Sequence, residues 1–146
     1  MTMPVEPGIV DTNVLIYALD TVAPQHAAAR TLLEAARAEV AILYVTPQIL
    51  CEFYSVMTNP RRVARPRTAD EAMTVLSDML TFLHVLPVPA STMDRLLDLL
   101  RRHPVIGSDV FDLHIIAAMQ ANSIDRIYTF NIADFKAFPE LSVVTP

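Results

Sequence analysis

The chain has 146 residues, 53% of them apolar, a mean hydropathy of +0.38 and a net charge of −5. That length buries a sizeable core and predicts a single domain over residues 1–146, while the apolar content excludes disorder and no apolar run nears the ~18 residues of a membrane span. Cys51 alone allows neither an intramolecular disulfide nor a zinc site, and no basic segment followed by an apolar one opens the chain, so the expectation is a cytoplasmic protein without signal peptide or membrane association.

In chain order, Gly8–Val10 is a short apolar run that reads as a buried strand ending at Asp11. Thr12 or Asn13 then caps a helix through Leu15, Ile16 and Leu19, and Pro24 opens a second helix to about Ala38. Ala41–Val45 has the length and β-branching of a strand. Thr46-Pro47 starts a helix that runs to about Thr58, where Asn59-Pro60 stops it.

Four arginines follow in one run, Arg61, Arg62, Arg65 and Arg67. The acidic balance argues against nucleic-acid binding through bulk charge, but this run concentrates basic charge in one loop. It reads as a phosphate-binding segment or as a solvated loop. Thr68-Ala69-Asp70-Glu71 has the form of a capping box and opens a helix through Val75, Met79 and Phe82.

His84–Val88 reads as a short strand, near an edge because of Pro87. Ser91–Arg102 is an amphipathic helix, and Ser108 caps another from Asp109 to about Ala121. Arg126–Thr129 is a strand, Asn131–Phe135 a turn or short helix, and Ser142–Val144 a last strand. Helices between short apolar strands predict an α/β fold of three layers, a central parallel sheet with helices on both faces. Gly8 and Gly107 are the only glycines, so no glycine-rich loop exists for a dinucleotide or a nucleoside triphosphate.

Ligands of open α/β sheets sit beyond the carboxyl ends of the strands, which is where Asp11 falls. Glu52 lies beside the apolar face marked by Ile49, Phe53 and Val56, where an unpaired carboxylate is costly. Asp112 shares a helical stripe with Ile116 and Met119 and occupies a first turn, with Asp109 one turn earlier. Asp134 sits in the turn after the Arg126–Thr129 strand. Each acid alone also reads as a cap, a dipole partner or a glutamate whose head reaches water. Together, converging carboxylates require a cation. Hard oxygen donors point to Mg²⁺, with Mn²⁺ as a substitute, and the four histidines show no paired metal spacing.

The runs IVDTNVLIYALD, ILCEFYSVMTNPR and DLHIIAAMQANSIDRIYTFNIADFKAFPEL, in that order over nearly the whole chain, resemble the PIN-domain nucleases and, more narrowly, the VapC-type toxins of toxin–antitoxin pairs. The resemblance implies Mg²⁺-dependent endoribonuclease activity on structured RNA, either transfer or ribosomal. It carries the acidic cluster onto Asp11, Glu52 and Asp112, with Asp11 and Asp112 as metal ligands and Glu52 completing the set. Family members often have a further acid where this chain has Asn131, and Asp134 matches a second acid of that motif. Asn13 and Thr129 match positions that orient waters or carboxylates, and Asp109 matches no motif position. Homodimerisation and a small antitoxin whose tail blocks the acidic groove are implied in the same way. Two other readings remain at this point. One is a degenerate PIN domain that binds RNA or protein without cleaving. The other is a phosphoacceptor receiver, opposed by central strands that lack an aspartate and by a sole lysine, Lys136, that follows a turn.

Overall fold

The structure, a computed structural model, describes residues 4–146. Its elements are β1 (Gly8–Val10), α1 (Thr12–Leu19), α2 (His26–Arg37), β2 (Leu43–Val45), α3 (Pro47–Thr58), α4 (Ala69–Met79), β3 (His84–Val85), α5 (Thr92–Arg102), α6 (Val110–Ala121), β4 (Arg126–Tyr128) and β5 (Ser142–Val144). Short 3₁₀ turns at Gly107–Asp109 and Ile132–Phe135 precede α6 and follow β4.

All pairings in the five-stranded sheet are parallel, in the order β3-β2-β1-β4-β5. A parallel connection needs a crossover, and crossovers are right-handed. The chain first steps from β1 towards β3, laying α1–α4 on one face. It then returns past β1 to β4, which puts α5 and α6 on the other face. The packing agrees: α1 touches α2 and α3, α3 touches α4, and α5 touches α6. Reversal of direction makes the carboxyl ends of β1 and β4 the topological switch point, where such sheets open a crevice.

Both faces of the sheet are covered, so the residues of its central strands are largely apolar and buried. Ile9, Val10, Leu43, Val45 and Ile127 are fully buried, with Leu15, Ile49, Phe53, Leu99, Ile116, Met119 and Phe135 packed around them. Burying each such side chain contributes about 1.5–3 kcal/mol before the entropy of ordering it.

Several boundaries differ from the sequence reading. Asp11, rather than Thr12 or Asn13, is the N-cap of α1, because those two side chains are engaged elsewhere. Pro24 precedes α2 by two residues: the His26 N–H bonds to the Ala23 carbonyl, so a tight turn intervenes. The strand expected from Ala41 pairs only from Leu43, and α4 stops at Met79, leaving Phe82 outside it against the Arg37 guanidinium at 4.3 Å. Pro87 confines β3 to two residues, and β3 is an edge strand as expected. Ser108 caps nothing, because Gly107, at φ +64°, leads into a 3₁₀ turn there instead.

Gly8 fits because β1 and β4 meet closely at its position. An added Cβ would lie 3.0 Å from the Arg126 carbonyl oxygen and 3.0 Å from the Tyr128 ring. Gly8→Val therefore loses about 1–3 kcal/mol of stability in urea unfolding although valine favours strands. A Gly8→Val chain as stable as the parent would contradict this close approach.

Candidate active site

Asp11 follows β1 at the switch point and is 8% exposed. One of its oxygens accepts from the Thr12 N–H at 2.8 Å. The other accepts from the Thr129 hydroxyl at 2.9 Å and the Asn13 amide at 3.2 Å. Thr129, fully buried just after β4, is saturated: its oxygen also accepts from the Asn13 amide at 3.1 Å and from the Asn131 N–H at 3.0 Å. The Asn13 carbonyl oxygen in turn accepts from the Phe130 N–H at 3.0 Å. Asn13, Thr129 and Asn131 thus join the ends of β1 and β4 through one carboxylate, with Asn131 contributing its backbone.

Glu52 reaches the same place from α3. Its two oxygens accept from the Thr12 hydroxyl at 3.1 Å and the Gln48 amide at 2.8 Å. Asp112 comes from the first turn of α6 and Asp134 from the 3₁₀ turn after β4. All four acids line one cleft of about 1470 Å³. Of the arginines, Arg62, Arg65 and Arg67 line it. Arg61 does not, its N–H held in a turn by the Asn59 side chain at 2.9 Å.

Thr12 and Gln48 are functional neighbours that the sequence reading did not single out. Gln48 lies one helical turn before Glu52, the spacing at which side chains meet, so that signal was present. Asp109 also lines the cleft, although a favourable helix dipole had already accounted for it.

The carboxylates repel one another. Asp112 is pushed up to about 7, first by burial and then by the charges of Asp11, Asp134, Glu52 and Asp109. Burial also raises Asp11, opposed by its bonds from Thr129 and the Thr12 N–H and reinforced by Glu52 and Asp134. Among the described residues, every ion pair lies elsewhere, on Arg30, Arg37 and Arg102.

This donor set fits a hard divalent cation. It is all oxygen and strongly negative, and its second-layer partners are neutral hydroxyls and amides. As the side chains stand, the described residues contain no group of three or more His, Cys, Asp or Glu placed to hold a metal ion. Mg²⁺ does not require one, since it keeps several waters and takes one or two carboxylates. Asp11 and Asp112 would hold it, with Glu52 beside them.

The sequence pattern of the PIN domain matches residues 8–141. The chain is 32% identical over 135 residues to ribonuclease VapC24 of Mycobacterium tuberculosis, across 88% of this chain and 89% of that protein. Among solved structures it is similar to M. tuberculosis VapC20, a sarcin–ricin loop cleaving toxin, with TM-score 0.69 and 18% identity over 94% of this chain and 98% of that one. It is also similar to VapBC2 of Rickettsia felis bound to a promoter DNA fragment, with TM-score 0.66 and 19% identity over 97% and 99%. No helix among the described residues is long and apolar enough to cross a membrane.

The raised carboxyls give a pH signature. An acid raised on folding contributes stability that is complete below its unfolded value, near 3.8 for Asp112, and lost as pH rises through about 7. In EDTA, the melting temperature of the parent should therefore fall between pH 5 and pH 8. Asp112→Asn, neutral throughout, should flatten that fall. An equally steep fall in the variant would remove Asp112 as its source.

Proposed function

The chain belongs to the PIN-domain family, in its VapC-type branch, and on that premise we propose that it is a metal-dependent endoribonuclease serving as the toxin of a toxin–antitoxin pair. The observation that carries this reading is the carboxylate cluster at the switch point, in which burial and neighbouring charge raise Asp11 and Asp112, with no protein cation paired to the cluster among the described residues. Its substrate is structured RNA, of the transfer or ribosomal class, and residues 1–146 act as one nuclease domain.

Mg²⁺, or Mn²⁺ in its place, would activate water and offset charge on the phosphodiester. Asp11 and Asp112 provide the anionic oxygens. Thr129, Asn13 and the Thr12 N–H fix the Asp11 carboxylate, so its orientation does not depend on the substrate. Glu52, held through both oxygens by Thr12 and Gln48, faces the attacking water as an orienting acceptor. Asp134, with Asp109, supplies the negative charge that Asn131 does not, which favours a cleaving enzyme over a degenerate binding domain. Arg62, Arg65 and Arg67 meet RNA phosphates at the cleft wall, and Arg61 stands outside that set.

The antitoxin contributes a cationic tail to the same cleft. Two copies of the chain form a homodimer, and the pair works in the cytoplasm, consistent with the single unpaired Cys51.

Asp11→Asn, nearly isosteric, should lower Mg²⁺-dependent cleavage of folded transfer or ribosomal RNA by at least about a hundredfold while retaining the fold. Full cleavage by that variant would refute the mechanism. Thr129→Val, which keeps the volume and removes the donor to Asp11, should weaken Mg²⁺ binding in calorimetry by about 10–100-fold. Unchanged binding would remove Thr129 from its positioning role.

A further inference from the structure

Seven carboxylates (Asp11, Asp20, Glu52, Glu71, Asp109, Asp112 and Asp134) face three arginines across the cleft. Phosphate contacts dominate most nucleic-acid affinity, and a net-acidic cleft supplies them poorly. A contact without charge adds affinity there without opposing the carboxylates, and a base offers its π-face.

Two aromatic side chains line the cleft, Tyr17 and Phe111. Tyr17 is half-buried and already meets the edge of Phe130, with ring centroids 5.2 Å apart at 87°. Phe111 is 48% exposed and has no aromatic partner among the described residues. Helix α6 buries Leu113 and Ile115–Met119, so Phe111 is not needed by the core it stands beside. Its backbone is tied to α3, where the Gln48 amide lies 3.5 Å from its carbonyl oxygen. Val22, the other exposed large apolar residue of the cleft, has no π-face.

Building on the ribonuclease reading of this cleft, we propose that Phe111 is a stacking platform for an unpaired nucleobase of the RNA. Phe111 and Asp112 line the same cleft, so a base stacked on the ring belongs to the strand bound at the acidic cluster. Bases within a duplex have both faces covered and cannot use the platform, whereas splayed loop bases stack on aromatic side chains. Phe111 thereby selects loops over stems, and the three arginines act on the backbone of the same strand.

The chain contains no tryptophan, so Phe111→Trp introduces a unique fluorophore. In an Asp11→Asn background that prevents cleavage, a short labelled single-stranded RNA should quench the indole, and the same sequence as a blunt duplex should not. By anisotropy, Phe111→Ala should weaken single-strand binding about 5–100-fold. Its duplex binding and salt slope should stay unchanged, because no charge is lost, and Phe111→Tyr should restore affinity. Equal single-strand affinity for Phe111→Ala and its Asp11→Asn parent, or binding without quenching in Phe111→Trp, would overturn the platform and leave the exposed ring to a protein partner. Failure of the Asp11→Asn parent to bind either RNA would overturn the ribonuclease reading and the platform with it.

Discussion

The hydrogen bond from the Thr129 hydroxyl to the Asp11 carboxylate, at 2.9 Å between two buried groups, is the contact on which the rest of the cleft depends. It links the carboxyl ends of the paired strands β1 and β4, where the order in which the chain adds strands reverses. Without donors, an ionised carboxylate at that depth would be strongly unfavourable. With three of them, from Thr129, Asn13 and the Thr12 N–H, Asp11 sits at a fixed point beside the core and still faces the cleft. The same threonine oxygen accepts from the Asn131 N–H, so the turn carrying Asp134 is set from the residue that sets Asp11. Position and charge are thus coupled through one hydroxyl.

The accumulated charge sets stability against function. Asp112 is the least compensated member: it has none of Asp11's three donors and none of Glu52's two, and burial and its neighbours' charges push it up to about 7. A structure selected for stability alone would place a neutral residue there. Its retention on the first turn of α6, where the helix dipole favours an anion, fits a site meant to receive positive charge from outside the chain. The arginines line the cleft without closing on any of these acids, which leaves the acidic cluster open to that charge.

Much of this was legible in the sequence, for reasons that differ by residue. Asp11 was visible because an acid directly after an apolar run falls at a strand's carboxyl end. Asp112 and Glu52 were visible because acids beside apolar helical stripes require partners. Thr12 was read as a cap and is instead a donor to Glu52, since local propensity does not show which side chain across the fold needs a hydrogen bond. Asp109 was hidden by a sufficient local explanation, its helix dipole. Arg61 was grouped with its neighbours by sequence adjacency, but the Asn59 turn directs the following residues to the cleft and leaves it outside. Helix starts moved by one or two residues where tight turns intervene, as between Pro24 and His26, because proline is compatible with both conformations.

The two edges of the sheet have a consequence for self-association. β3 presents only His84 and Val85 before Pro87, and β5 presents three residues between Pro139 and Pro146. Proline lacks the N–H that a neighbouring strand would need, and such short edges are poor templates for adding another strand. The ladder is therefore poorly suited to propagate from one molecule into the next. Open-ended stacking of sheets is thus disfavoured by the backbone itself.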